Sequence, residues 1–287
     1  ADVCDGVITQ FNNTLLDMVS YAWNFDDGTL GNGLNITHTY GAYGAYDVVL
    51  TVTDTNGCGG VDNDTVYVRP IPIADFIWSD VCFLDSMLFN DNTNYVIDPL
   101  LSGLADEWFW SFGDGGIDSV QDPSHLYLSP QVYAVTLTVT DSYGCVDDTT
   151  QDVEVWLLPA VGFTVAETCI TFPSFFDNSG TPSPGAVTWI WNFGDNIIDT
   201  SFVPDISHTY TSADTFTVIL TIIDTNGCQQ LDTSIAIVNP EPQPNFTAAD
   251  VCDGVITQFN NTLLDMVSYA WNFDDGTLGN GLNITHT

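Results

Sequence analysis

Lysine is absent from this chain of 287 residues, and Arg69 is its only arginine, against 38 acidic side chains and a formal charge of −37. Nucleic-acid affinity comes mainly from Lys and Arg that displace counterions, and anionic membranes recruit proteins through the same side chains. Partners with a phosphate surface are therefore excluded. A trypsin-like protease meets one basic residue in the whole sequence. No run of about 18 apolar residues occurs, so no membrane insertion is expected in this segment. Ala1 to Gly6 lack the charged and apolar regions of a signal peptide, and any export signal or anchor is expected outside this stretch. HExxH, a Walker loop, GxGxxG and GxSxG are also missing. The expectation is a protein that is not an enzyme and requires no cofactor.

Against these absences stands an apolar fraction of 45%, with 13% aromatic residues. That is too much for a disordered acidic tail, so the chain should fold. Folded, it repels itself unless ions screen it, and the Debye length falls to roughly 3–8 Å between molar and physiological salt. A saline or divalent-rich setting and plain solubility are both open explanations of the charge. Asn12, Asn35, Asn63, Asn245, Asn260 and Asn283 begin glycosylation triplets, a pattern too common to decide anything.

The strongest positive signal is repetition. Ala1 to Thr39 recur letter for letter as Ala249 to Thr287, a period of 248 residues. A linear array is built this way, and the chain is expected to be one period plus an overlap from a longer repetitive polypeptide. Within the period a shorter unit recurs, anchored at Trp23-Asn-Phe25-Asp-Asp27-Gly28, Trp110-Ser-Phe112-Gly-Asp114-Gly115, Trp191-Asn-Phe193-Gly-Asp195-Asn196 and Trp271 to Gly276. A His-Xaa-Tyr step follows each anchor, at His38 and Tyr40, His125 and Tyr127, and His208 and Tyr210, with the fourth cut at His286-Thr287. A long alternating run comes next: Tyr46, Val48, Leu50 and Val52, then Tyr133, Val135, Leu137 and Val139, then Phe216, Val218, Leu220 and Ile222. Strict period two in Val- and Thr-rich sequence is a half-buried strand. Further strands fall around Phe246, Phe76 and Phe163, at Val7 to Asn12, Ser86 to Asn90 and Thr171 to Phe175, and at Val66 to Val68, Val153 to Val155 and Ile235 to Ile237. Seven or so short strands per ~80–90 residues define an all-β chain of tandem immunoglobulin-like β-sandwiches. The expected domains are 1–68 (lacking its first strand), 71–157, 160–238 and a partial 241–287. Short proline-rich linkers between them, such as Arg69 to Pro72, predict a rod.

The motif order Trp-x-Phe-Gly-Asp-Gly, His-x-Tyr, Tyr/Phe-x-Val-x-Leu-x-Val-x-Asp resembles the PKD (polycystic kidney disease) domain family over essentially the whole chain. Asp26 and Asp274 depart from it at the first glycine and Asn196 at the last, which bears on the geometry of that turn. PKD arrays with a cysteine in each of two loops are similar to those of large exported surface proteins and adhesins of Bacteroidota, and this resemblance implies a stalk.

The seven cysteines fall at two places only. Cys4, Cys82, Cys169 and Cys252 lie between the first and second strands of their domains, and Cys58, Cys145 and Cys228 lie at the last hairpin turn. In this sandwich the two places sit at opposite ends, separated by a strand of about 30 Å, whereas a disulfide needs Cα atoms within ~7 Å. The preferred pairing is therefore interdomain, Cys4 with Cys145 and Cys82 with Cys228, with Cys169 reaching the next period. The intradomain alternative pairs Cys4 with Cys58, Cys82 with Cys145 and Cys169 with Cys228.

The four histidines share one motif position and are expected to be structural. Asp26-Asp27, Asp147-Asp148 and Asp62/Asp64 offer paired carboxylates of the kind glycoside hydrolysis uses, but Asp and Asn also satisfy turn backbones, the favoured account. Calcium suits clustered oxygen ligands; Asp54, Asp141 and Asp224, facing Asp27 and Asp114 across a junction, are its candidate ligands. Trp108 and Trp189 are candidate sugar platforms, with core packing as the default. The function expected is a structural or adhesive extracellular filament or stalk for surface or cell attachment, self-associating, with a cell-surface or carbohydrate target. The alternative is a noncatalytic spacer or carbohydrate-binding array of a large secreted hydrolase.

Overall fold

The computed structural model describes residues 2–96, 101, 103–178, 185–264 and 266–287; Ala1, where the repeat begins, lies outside them. Every described regular element is a strand, and no helix is long and apolar enough to cross a membrane. The chain divides into two compact units, Ala1–Leu158 and Pro159–Thr287.

In the first sandwich the strands are β1 (Asp2–Cys4), β2 (Ile8–Asn12), β3 (Ser20–Asn24), β4 (Leu30–Asn32), β5 (Asn35–Thr39), β6 (Gly44–Thr53) and β7 (Gly59–Arg69). One sheet has the order β1-β7-β6-β3-β4 and the other pairs β2 with β5. The Val/Thr run makes β6 the centre of the larger sheet, with Leu50 opposite Trp23 and Val52 opposite Tyr21. Its inward residues join Trp23, Phe25, Tyr40, Val66 and Val68 in the core.

The second sandwich repeats the plan with β8 (Phe76–Trp78), β9 (Val81–Cys82), β10 (Met87–Asp91), β11 (Ala105–Ser111), β12 (Ile117–Asp118), β13 (Ser124–His125), β14 (Val132–Asp141) and β15 (Val146–Trp156). Here the smaller sheet also holds the first strand, in the order β13-β10-β8, and the larger is β12-β11-β14-β15-β9. In the second unit, the third sandwich pairs Thr164–Val165, Ser174–Asp177 and Ile206–His208 in one sheet and packs Val218, Leu220 and Ile222 of Thr215–Asp224 against Trp191 and Phe193.

The structure corrects the expected elements in three places. The segments carrying Cys4, Cys82 and Cys169 are themselves short strands, pairing parallel with the end of the last strand: Cys4 opposite Arg69, Cys82 opposite Trp156, Cys169 opposite Asn239. Two or three residues are too few for a periodicity to reveal. The expected strand at Thr171 to Phe175 begins only at Ser174, because Thr171 turns with φ 73° and Pro173 has no N–H to give a ladder. Asp62 and Asp64 lie in β7 and Asp147 and Asp148 in β15, not in turns. Asp62 and Asp64 are exposed in the stretch of β7 that β1 does not reach, where charge discourages further strand pairing.

Candidate functional site

Two constellations recur in the three sandwiches, one around the motif Asp that locks the fold and one at the last hairpin turn that presents a cysteine. The lock starts from the motif Asp. Asp27 Oδ1 accepts the backbone and hydroxyl hydrogens of Thr29 at 2.9 and 2.6 Å, and Oδ2 lies 2.7 Å from His38 Nε2. A carboxylate only accepts, so the imidazole carries its proton on Nε2. Asp114 with His125 and Asp195 with His208 repeat the contact at 2.8 and 2.7 Å. Each ring stacks at 4.1 Å on the motif Phe, namely Phe25, Phe112 and Phe193, and meets the edge of Tyr40, Tyr127 or Tyr210 at 4.6 Å. Tyr46, Tyr133 and Phe216 then close the stack at 4.3, 4.0 and 4.0 Å. This last member opens the alternating run of the motif, and its offset of six residues from the Tyr is the same in all three copies; its place in the ring stack was not read from the sequence.

Burial works against the ionised Asp27, but hydrogen bonds from Thr29 and His38 and the His38 charge outweigh it and hold the acid below its ordinary value. Asp114 and Asp195 follow the same balance with their own histidines. Burial, followed by the charges of Asp27, Tyr46 and Asp26, pushes the Tyr40 phenol up to about 12. Trp189 is buried, and Trp108 packs against the core while its indole donates to Asp91 at 2.9 Å. Both are core residues and not sugar platforms, because they lie two positions from Trp110 and Trp191 and share their inward face.

The departures from the motif glycine keep its backbone. Gly113 and Gly194 have φ 80° and 81°, and Asp26 and Asp274 both hold 63°. At Gly113 an added Cβ would lie 2.6 Å from the Ala134 carbonyl. Asp26 instead turns its carboxylate to accept the N–H of Asp47 at 3.1 Å, a local bond that offsets the left-handed strain. Asn196 holds φ 72° in the same way where its counterparts are Gly28 and Gly115.

The second constellation is built on the last hairpin turn. Asp54, Asp141 and Asp224 each accept two turn N–H groups on Oδ1, the second from the cysteine four residues on, at 2.8 Å in all three. Gly57, Gly144 and Gly227 supply φ of 81°, 83° and 85°. Cys145, so presented, is bonded to Cys4 of the preceding sandwich, with Cα atoms 5.6 Å apart and a sequence separation of 141. Cys82 and Cys228 are disulfide-bonded as well, and Cys58, Cys169 and Cys252 are free and exposed. The intradomain pairings of Cys4 with Cys58, Cys82 with Cys145 and Cys169 with Cys228 therefore do not form. Cys4 sits beside the end of β7 and Cys58 at its start, so roughly ten residues of extended strand separate them.

Among the described residues no group of three or more His, Cys, Asp or Glu is disposed to hold a metal ion. The five calcium candidates are engaged within their own sandwiches: Asp27 and Asp114 with a histidine, and Asp54, Asp141 and Asp224 with turn amides.

The PKD domain family matches residues 3–69, 90–156 and 164–238. This chain belongs to the PKD domain family. Among similar proteins, collagenase ColA of Bacillus cereus is 44% identical over 55 residues, 19% of this chain and 6% of that protein. Polycystin-1 of Homo sapiens is 29% identical over 147 residues, 41% of this chain and 3% of that protein. The crystal structure of the PKD1 domain of Vibrio anguillarum Epp is 28% identical, with 31% of this chain and 98% of that one covered and a TM-score of 0.27. The chain thus spans only a few per cent of the length of these full-length relatives, and what it shares with them is the PKD module.

Proposed function

We propose that this PKD array is a structural and adhesive extracellular stalk or filament, of the kind found on the surface of Bacteroidota, extended by copying a three-sandwich block. The observation that carries the reading is the disulfide between successive sandwiches, Cys4 to Cys145, in a chain that repeats 39 residues letter for letter. Disulfides persist in oxidising, extracellular settings, and linking neighbours resists separation where an isolated domain would need no such bond. The reading extends the same linkage to Cys82 with Cys228, and to Cys169 with the turn cysteine of the following period. Lateral self-association into a filament and a cell-surface or carbohydrate target complete it.

The collagenase relatives favour a second reading, a noncatalytic spacer in a large secreted hydrolase. Electron microscopy of the native material separates the two. The first expects slender rods or bundles with an axial repeat of three sandwiches; particles carrying a globular catalytic body at the end of a short array would overturn it in favour of the second.

A further inference from the structure

The single arginine of the chain is not on the surface. Arg69 ends β7, and its side chain is 8% exposed, with Nη2 donating to Asp2 Oδ1 at 3.0 Å. The guanidinium carbon lies 4.0 Å from the ring centroid of Tyr143 and 5.1 Å from that of Tyr67. Tyr67 and Asp2 belong to the first sandwich. Tyr143 belongs to the second, in the turn from Asp141 to Cys145 that presents the half-cystine. Cys4 is the strand partner of Arg69 in the β1–β7 pair. One side chain thus touches both segments that the disulfide joins.

The repeat itself supplies a control. At the position of Arg69 the second and third sandwiches carry Trp156 and Asn239, the strand partners of Cys82 and Cys169. At the position of Tyr143 the first and third carry Asn56 and Asn226. The only aromatic among the three turns is the one that meets the only arginine. Burying a guanidinium is costly unless it is paired, and stacking on an aromatic face contributes most where the contact is desolvated.

We propose that Arg69 is a positioning residue for the interdomain disulfide: a noncovalent clamp that docks the second sandwich on the first and brings Cys4 and Cys145 together before they are oxidised. With glutathione disulfide as oxidant, the two thiols lose two protons and two electrons, the sulfur–sulfur bond forms, and two glutathione thiols are released. The proposal holds whether the array serves as a stalk or as a spacer.

The test is the effective concentration of the two thiols in the full chain, read from the equilibrium with reduced and oxidised glutathione by mass mapping of the Cys4–Cys145 peptide. Arg69→Met is expected to lower it on the order of tenfold, the ratio that ~1.4 kcal/mol sets. Tyr143→Leu, which leaves Arg69 and Asp2 in place, is expected to lower it several-fold. The double variant should fall no further than Arg69→Met alone, since both act through one contact. Near-ultraviolet dichroism checks that each sandwich keeps its packed aromatics. Values within twofold of the parent for both folded single variants, or a double variant that falls by the product of the two, would overturn the clamp.

Discussion

Residues 1–39 and 249–287 are the same sequence in two settings, and the contrast separates what the segment does alone from what its partners add. In both copies the motif Asp binds its Thr and its His, at 2.7 Å for His38 and for His286. The histidine stacks on the motif Phe at 4.1 and 4.2 Å, the Asp at the glycine position keeps φ 63°, and the indole donates to a turn carbonyl, Gly33 or Gly281, at 3.0 and 2.8 Å. Burial differs. Trp23 and Phe25 are 7% and 2% exposed beneath β6, whereas Trp271 and Phe273 are only half-buried. They line an open groove of about 620 Å³ with Phe246, Phe259 and Tyr269. Asp2–Cys4 is a strand because β7 is beside it, and Asp250–Cys252, without such a neighbour among the described residues, is not. The turn and the histidine lock are local, then, and the core and the short parallel strand are tertiary.

The largest expected difference between the copies is in their tryptophans. Trp23→Ala should destabilise its sandwich by about 3–5 kcal/mol, the usual cost of emptying a buried aromatic site, and Trp271→Ala by under about 2 kcal/mol. Amide hydrogen exchange resolved by residue measures both in one chain; equal losses would mean that burial beneath β6 contributes little.

A pH titration sharpens the contrast next. Because Asp27 is held below its ordinary value of 3.8, its contribution to stability is complete above that value and fades as pH falls through the lower folded one. Hydrogen bonds from Thr277, then His286, bring Asp275 down to about 2, so its contribution should persist below pH 3.8 and be lost as pH falls toward about 2. Tyr40 acts at the other end. Its neutral phenol favours the folded state fully below pH 10, and the contribution is lost as pH rises toward about 12. The alkaline loss, followed by tyrosinate absorbance and near-ultraviolet dichroism, belongs to Tyr40 in its stack with His38 and Tyr46. Tyrosinate forming near pH 10 with the dichroism unchanged would contradict it.

The smallest effect concerns the left-handed aspartates. Asp274→Gly should stabilise by roughly 0.5–1 kcal/mol through relief of its positive φ. At Asp26 the same change also removes the bond to Asp47, worth about as much, and should come out near zero. Thermal melts of the two variants that shift alike would show that this bond contributes nothing.

Much of the sandwich was legible because alternation is strict where a strand has one wet face, as in Tyr46 to Val52, and because Trp, His and Tyr recur at fixed offsets. The turn acids were legible as acids, but their use was not: whether Asp54 meets an ion or the amide of Cys58 depends on a loop conformation that spacing alone leaves undetermined. The short parallel strands at Cys4, Cys82 and Cys169 were invisible, being shorter than any period. The role of Arg69 was hidden because its partners lie in two domains, 67 residues before it at Asp2 and 74 after it at Tyr143.

Those short parallel strands also decide how a sandwich answers a load. In an antiparallel hairpin pulled from its open end, the hydrogen bonds meet the force one after another and unzip. β1 and β7 run parallel, so drawing the start of one away from the end of the other slides them along their length. Every bond between them is then loaded in shear at once, and Asp5, whose amide donates to the Arg69 carbonyl at 2.8 Å, lengthens the seam by one more. While Cys4 is bonded to Cys145 the pull passes through that bond; with it reduced, the first sandwich is expected to yield by one cooperative rupture of this seam.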